Sequence, residues 1–516
     1  MSSESALPPL QGKQLILATI AVALATFMIV LDSSIANVAI PTIAGNLGVS
    51  VNEGTWVITL FAAANAITIP LTGWLTQRYG QVRLFISAIV LFLLASFLCG
   101  FASDLSFLLF ARILQGLVAG PLIPLSQALL LSTYPKEKSA FALALWGMTA
   151  TVGPIAGPTL GGWITDNYHW SWIFYINIPV GFFAAAVTWK LFKTRETPTS
   201  RSAIDTIGLV LLFIWVGALQ VMLDKGNDMG WFDSSTIIIL GLIAVIGFCY
   251  FLVWELTVEN PVIDLRLFNR RNFAAGTIAI SVGYGVFFGN LVLLPQWMQQ
   301  DLGYPAISSG LAMAPLGFFA VLCSPFIGRF LVWIDARVLI TFAFMLFGLV
   351  FYLRSLYSVD IDTWALVLPT LIQGIPMAMF FIPLTVIILS GLPSERIAAA
   401  AGLSNFVRVF FGAIGTSIAT TIWTNRSIVH HAQLSEQATP YTQSFMDYMS
   451  SLHHLLNVDS GGQRMIVNRI INHQSNTLAI DDIFFISAWI FILLIPLVWL
   501  TKPAKMGMTK INMDAH

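Results

Sequence analysis

The sequence predicts an all-α polytopic membrane protein of fourteen transmembrane helices, arranged as two six-helix halves plus two extra helices. Three observations lead there. Of 516 residues, 57% are hydrophobic and only 10% charged, with a mean hydropathy of +0.82; a soluble domain carries about 25% charged residues. Too few charges remain to coat a water-facing surface. Apolar runs of helix-spanning length recur from Leu15 to Trp499, and the basic residues concentrate in every second gap between them.

A helix needs about 20 apolar residues to cross a hydrocarbon core of roughly 30 Å, and open strands cannot satisfy their backbone there. Residues 1–14 read as a cytoplasmic N-terminus that lacks the basic start and cleavage site of a signal peptide, so the first run is a retained span. An N-terminal bundle over 15–195 takes spans near 15–35, 55–75, 83–102, 106–132, 140–163 and 170–192. Two extra spans, near 204–223 and 235–256, form a linker pair over 204–256. A C-terminal bundle over 273–501 takes spans near 273–298, 306–330, 337–355, 363–390, 398–424 and 482–501, and 502–516 is a cytoplasmic C-terminus. One polar stretch, 425–481, interrupts the last bundle on the outer side. It holds five of the seven histidines (His430, His431, His453, His454 and His473), and reads as a solvated, partly helical cap or as a docking surface. The histidine spacings match no metal-ligand template.

Charge fixes the orientation. Eighteen of the 25 basic residues fall in alternate gaps: Lys13; Arg78 and Arg83; Lys136 and Lys138; Lys190, Lys193, Arg195 and Arg201; Arg266, Arg270 and Arg271; Arg329 and Arg337; Arg396; Lys502, Lys505 and Lys510. The other gaps hold Lys225, Arg354, Arg426, Arg464 and Arg469, and Arg112 and Arg408 lie within spans. By the positive-inside rule both termini are cytoplasmic. The asymmetry comes out cleanly only with fourteen spans. The net charge of zero gives no footprint for nucleic acid, and Cys99, Cys249 and Cys323 lie far apart inside apolar runs, as packing residues do.

The chain also repeats. A shift of 258 residues sets Leu114-Gln115-Gly116 on Ile372-Gln373-Gly374, Pro135 on Pro393, Glu137 on Glu395, Lys138 on Arg396, Ala140 on Ala398 and Gly157 on Gly415. Eight spans separate the matching segments, so both halves keep one orientation. Parallel repeats with a site at their interface are a transporter architecture.

An ionisable group at bilayer depth costs from ~3 to well over 10 kcal/mol and is a functional hypothesis by default. Asp32, the one acid deep in a span, is the candidate for alternately holding and releasing a proton; a permanent ion pair, or a local bond to Ser33 or Ser34, is the structural alternative. Arg112 sits on Thr370 in the repeat and Arg408 on Ala150, so each charge belongs to one half. Arg112 points to proton coupling or substrate placement, against an ion pair that only locks helices. Glu255, near a span end, reads as reaching the interface by snorkelling.

Gly153, Gly157 and Gly161 recur every fourth residue on one helix face, beside Pro154, Pro158 and Gly162. That spacing admits another helix closely, and the prolines remove backbone donors and bend the helix. In the short turn 73–83, Gly73 and Gly80 allow sharp backbone turns, while Arg78 and Arg83 are placed to bond carbonyls at neighbouring helix ends. Asn37, Asn65, Gln115, Gln127, Asn290, Gln296, Gln373 and Asn405, with Met377, Phe380, Phe381 and Arg408, are candidates to line an amphipathic cavity. No nucleotide or redox motif occurs, and no cofactor or metal is expected. One proton moved through the membrane potential releases about 2.3 kcal/mol per 100 mV, close to the ~2.7 kcal/mol of a hundredfold solute gradient.

Four motifs in order carry a family resemblance. LDSSIANVAIPTIA resembles lDxTvvnvAlP, with Asp32, Asn37, Ala39 and Pro41 matching; GWLTQRYGQVR resembles GxLaDrxGxkxxl through Gly73, Arg78, Gly80 and Arg83, with Gln77 where that pattern has an acid. ARILQG resembles RxxQG, matching Arg112, Gln115 and Gly116, and VGPIAGPTLGG resembles gxxxGPxxGG, matching Gly153, Gly157, Pro158, Gly161 and Gly162. Trp170 to Gly181 is typical of the same branch. Over nearly its whole length the chain is similar to the fourteen-helix drug:proton antiporters of the major facilitator superfamily, in particular to multidrug exporters. The resemblance implies proton-coupled export of lipophilic small molecules across a bacterial inner membrane by alternating access. It further implies a periplasmic membrane-fusion adaptor and an outer-membrane channel as partners, and a proton-linked role for Arg112. The rival readings are an importer or metabolite exporter of the same fold and, from another class, a membrane-embedded enzyme or sensor.

Overall fold

The computed structural model describes residues 10–503 apart from short stretches at 136–137, 201–204, 260, 439–441 and 457–459. Some side chains within helices, including those of Pro154 and Pro158, also lie outside the described residues, as do those of His453 and His454.

In chain order the long helices are α1 (Gly12–Leu47), α2 (Trp56–Thr68, then Thr72–Tyr79), α3 (Gln81–Phe101), α4 (Leu105–Ala119, then Leu122–Thr133), α5 (Ser139–Asn167) and α6 (Trp172–Phe192), followed by α7 (Thr206–Lys225) and α8 (Ser235–Thr257). The second set is α9 (Arg271–Gln300), α10 (Ala306–Trp333), α11 (Ala336–Arg354), α12 (Thr363–Leu389), α13 (Ser394–Gln437) and α14 (Ser460–Leu493, then Ile495–Trp499). Among the described residues, twelve of these are long and apolar enough to cross a membrane, and α2, bent by 60° at its break, adds a crossing. With α5, 29 residues long, there are fourteen. Four of the scarce acids are spent on helix starts: Asp104, Asp205, Asp335 and Asp362 each accept from a backbone N–H in the first turn of α4, α7, α11 and α12. Large apolar side chains such as Leu94, Phe182, Val245 and Phe318 are exposed, which is a surface made for lipid rather than water.

Helices α1–α6 pack on one another, as do α9–α14, while α5 lies against α10 and α12, and α13 against α2 and α4. The first and last described residues lie on one face, termed here the terminal face: Leu10 joins Val82, Tyr134 and Phe192 in one apolar cluster, and the Lys502 N–H donates to Asn272 at the start of α9. On that face the two halves touch. A Cβ at Gly73 would lie 2.7 Å from the Cβ of Ala399.

The extra pair bridges the halves. Lys225 at the end of α7 donates to Thr55 Oγ1 beside α2 at 2.6 Å, whereas Trp215 makes edge or tilted ring contacts with Phe406 and Phe410 of α13 and with Phe248 and Phe251 of α8. Ser417 of α13 donates to the Leu223 carbonyl.

Two expectations need correction, and one helix runs further than the span assigned to it. The helix of the thirteenth span continues beyond 424: α13 is one helix of 44 residues, about 66 Å at 1.5 Å per residue, and with α14 it projects well past a 30 Å core. Arg426 and His430 on α13 both bond Asp482 on α14 there, at 2.6 and 2.8 Å, because helical periodicity continues after the hydrophobicity ends. Arg354, read as a loop residue, ends α11 and is 1% exposed. Glu255 does not snorkel; it is buried and accepts the Ile263 N–H at 3.1 Å.

Candidate functional site

Asp32 lies on α1 and Arg112 on α4, and both are fully buried. Their ion pair measures 2.7 Å between Arg112 Nη1 and Asp32 Oδ2. The carboxylate's other oxygen accepts from Gln115 Nε2 at 3.0 Å and Asn177 Nδ2 at 2.7 Å. Arg112 also donates from Nε to the Val57 carbonyl at 3.1 Å and from Nη1 to Gln115 Oε1 at 2.6 Å. The Phe61 ring lies 4.1 Å from its guanidinium carbon. Gln115 Nε2 donates to Ser96 Oγ at 2.8 Å, so five helices of the first half converge on one dry polar cluster.

Glycines make that convergence possible. A Cβ at Gly116 would lie 2.5 Å from the Phe61 carbonyl, so the Gly of the Arg112-Gln115-Gly116 motif brings α4 onto α2, within reach of Val57. On the opposite side of α1, Gly153 faces Val30, Gly157 faces Ser34, and Gly161 faces Ile35. The glycine face of α5 therefore braces α1 on both sides of Asp32 in sequence. Gly162 takes no part, with nothing within 4 Å of its Cβ position. The backbone stays helical through Pro154 and Pro158.

A second polar group lies where the halves meet. Asn405 on α13 donates to Gln127 on α4 at 2.9 Å; both line a cavity with Thr385, Ser404 and Arg408. The space has room for about one water, so the walls are collapsed on one another. Phe381 lies beside Arg408, its ring centroid 5.5 Å from the guanidinium carbon.

The remaining cavity candidates are elsewhere. Gln115 is committed to Asp32. Gln373 is buried but absent from the cavity wall, and its Oε1 has no partner. Met377 and Phe380 belong to the apolar core of the second half, Phe380 lying tilted against Phe344 and edge-on to Phe347. Asn37 and Gln296 are exposed, in the halves of α1 and α9 away from the terminal face. Polarity alone could not separate these cases, because the facing of each side chain depends on neighbouring helices.

In the turn at 73–83, Gly80 has φ +87 and a Cβ there would lie 2.5 Å from Glu196. The Glu196 carboxylate accepts the N–H groups of Val82 and Arg83, each at 2.9 Å, an acid at a helix start. Arg83 thus meets a carboxylate, at 4.0 Å, rather than helix-end carbonyls. Arg78 is exposed and shows no bond among the described residues. Glu196, Ser96 and Asn177 were missed by sequence reasoning. Asn177 had a signal akin to that of Asp32, a polar side chain within an apolar run.

Comparison with known proteins matches residues 22–416 to the family model of the Major Facilitator Superfamily. The chain is 52% identical to Multidrug export protein EmrB of Escherichia coli strain K12, over 96% of this chain and 97% of that protein. It is 48% identical to Fatty acid resistance protein FarB of Neisseria gonorrhoeae, over 96% and 98%. Its fold resembles the crystal structure of the human organic anion transporter MFSD10 (TETRAN), with a TM-score of 0.58 and 13% identity over 95% of this chain and all of that one.

Proposed function

This chain belongs to the major facilitator superfamily, and we propose that it is a proton-coupled antiporter exporting lipophilic drugs and toxic compounds by alternating access. The observation that carries the reading is the dry Asp32–Arg112 pair in a chain so similar to a multidrug export protein. A fully buried carboxylate with donors on both oxygens takes up a proton only when a donor withdraws. Opening toward the outside lets water reach Asp32, a proton occupies Oδ2, and Arg112 is released to its other partners, Val57 and Gln115. The neutralised α1 then shifts along the glycine face of α5, and the halves rock to expose the cavity of Gln127, Asn405 and Arg408 to the cell interior, where substrate enters.

The membrane is the bacterial inner membrane, with the terminal face cytoplasmic, a placement supported by the basic residues that gather there. The projecting helices α13 and α14 support docking by a periplasmic membrane-fusion adaptor that leads to an outer-membrane channel. Leu434, Phe445, Tyr448, Val467 and Ile470 line an apolar groove on this projection.

The test uses inverted vesicles, whose lumen stands for the cell exterior. A lipophilic dye added outside should alkalinise the lumen as protons leave in exchange, and Asp32→Asn should abolish both fluxes. An Asp32→Asn protein that accumulates dye against a gradient at the wild-type rate removes the proton-carrier role. Dye movement without proton movement would favour the metabolite-transporter reading.

A further inference from the structure

We infer that Arg408 holds the negatively charged head of an amphiphilic substrate, a carboxylate or comparably acidic group, in a subsite between the halves. The inference rests on the export reading and adds the chemistry of the ligand. Arg408 is 7% exposed, its Nε has no hydrogen-bond partner, and among the described residues no acid lies within ion-pair distance. Tyr284 and Phe381 present their rings to the guanidinium at 5.2 and 5.5 Å; rings attract a cation but leave the Nε–H without an acceptor. Of the other arginines buried at this depth, Arg112 has Asp32 and Arg354 has Thr370 Oγ1. Arg354 and Arg408 are thus both buried without a carboxylate, but Arg354 has a hydroxyl acceptor in Thr370, whereas Arg408 lines the cavity between the halves, and intramembrane cations pair with something.

Its surroundings suit an anion from outside the chain. The cavity wall offers the uncharged polar groups of Gln127, Thr385, Ser404 and Asn405 beside the aliphatic Ile280 and Ile388, so no resident carboxylate competes. A planar guanidinium matches a carboxylate with two parallel bonds. Asn405 is one helical turn before Arg408, and its bond to Gln127 closes the space. Parting the halves on the terminal face breaks that bond and opens Arg408 together with the cavity. Proton and anion then have separate holders: Asp32 and its donors within the first half, Arg408 at the interface.

The experiment compares 1-pyrenebutyrate with 1-pyrenebutanol, which share a tail and differ in head charge. Their pH-gradient-driven transport is measured in proteoliposomes of wild type, Arg408→Gln and Arg408→Lys, with melting temperatures as the folding control. Losing a charged hydrogen-bond partner should slow pyrenebutyrate about tenfold to a hundredfold more than pyrenebutanol in Arg408→Gln; Arg408→Lys, which keeps the charge but not the fork, should give an intermediate ratio. Equal losses for both probes, or no loss for either, overturn the anion subsite and leave the export reading intact. A wild type that moves neither probe overturns the export reading, and the subsite with it. Should Arg408→Gln not assemble, Arg408→Lys decides alone: a larger loss for pyrenebutyrate than for pyrenebutanol supports the subsite, and equal losses overturn it.

Discussion

Arg354 donates a 3.0 Å hydrogen bond to Thr370, the residue standing 258 positions after Arg112. The second half therefore also buries an arginine at this depth, but brings it from α11 rather than α12. Ser96, 258 positions before Arg354, is bonded to Gln115 beside Arg112. The two layouts correspond with the cation moved by one helix. Asn290, 258 positions after Asp32, bonds Ser487 at 2.9 Å. The aspartate of the first half is thus matched by a neutral amide in the second.

Removing one member of the dry pair strands the other. Arg112→Gln should destabilise the protein by about 3–5 kcal/mol, while the double variant Asp32→Asn/Arg112→Gln should regain much of that loss. Thermal melting of purified protein in nanodiscs checks it. A double variant melting as low as Arg112→Gln would mean that stranded charge is not the cause.

The glycine face predicts a contrast between neighbours. A methyl at residue 157 would lie 2.5 Å from Ser34 Cβ, so Gly157→Ala must push α5 off α1, at a cost of about 1–3 kcal/mol and with reduced dye efflux. Gly162→Ala meets nothing within 4 Å and should match wild type or gain up to about 1 kcal/mol. Efflux and melting of the two variants side by side settle it, and equal behaviour would refute the close approach.

Asp335, before the first turn of α11, predicts a pH dependence. The Arg337 side chain bonds its carboxyl and holds it below the ordinary aspartate value. A depressed folded value adds stability above the unfolded pKa, near 3.9, and that stability is lost as pH falls through the folded value. Wild type should therefore melt higher than Asp335→Asn at pH 6, with the difference shrinking below about pH 4. A difference that grows with acidity would contradict the assignment.

The spans, and Asp32 and Arg112 as intramembrane charges, were largely legible because each rests on one physical cost. Apolar runs must be dehydrated, and an intramembrane charge must find a partner, so Asp32 and Arg112 stood out before their contact was known. What stayed hidden depends on how helices face one another. Gln115 and Gln127 are alike in sequence, yet one serves the carboxylate and the other bonds across to Asn405. Arg354 hid because a basic residue at a span end usually faces water. Glu196 hid because it is distant in sequence from the helix start it caps, with only the missing acid at Gln77 to suggest that another residue supplies it.

Helix α13 runs unbroken from Ala399, which touches Gly73, past Asn405, Arg408 and Ser417 to Arg426 and His430 above the bilayer. A rod of this kind is a lever. With Arg408 as fulcrum, its far end at Gln437 lies roughly 43 Å away at 1.5 Å per residue, and a tilt of roughly 10° would swing that end by roughly 7 Å. Movement at the inner end is thus carried along one rigid helix to its outer end.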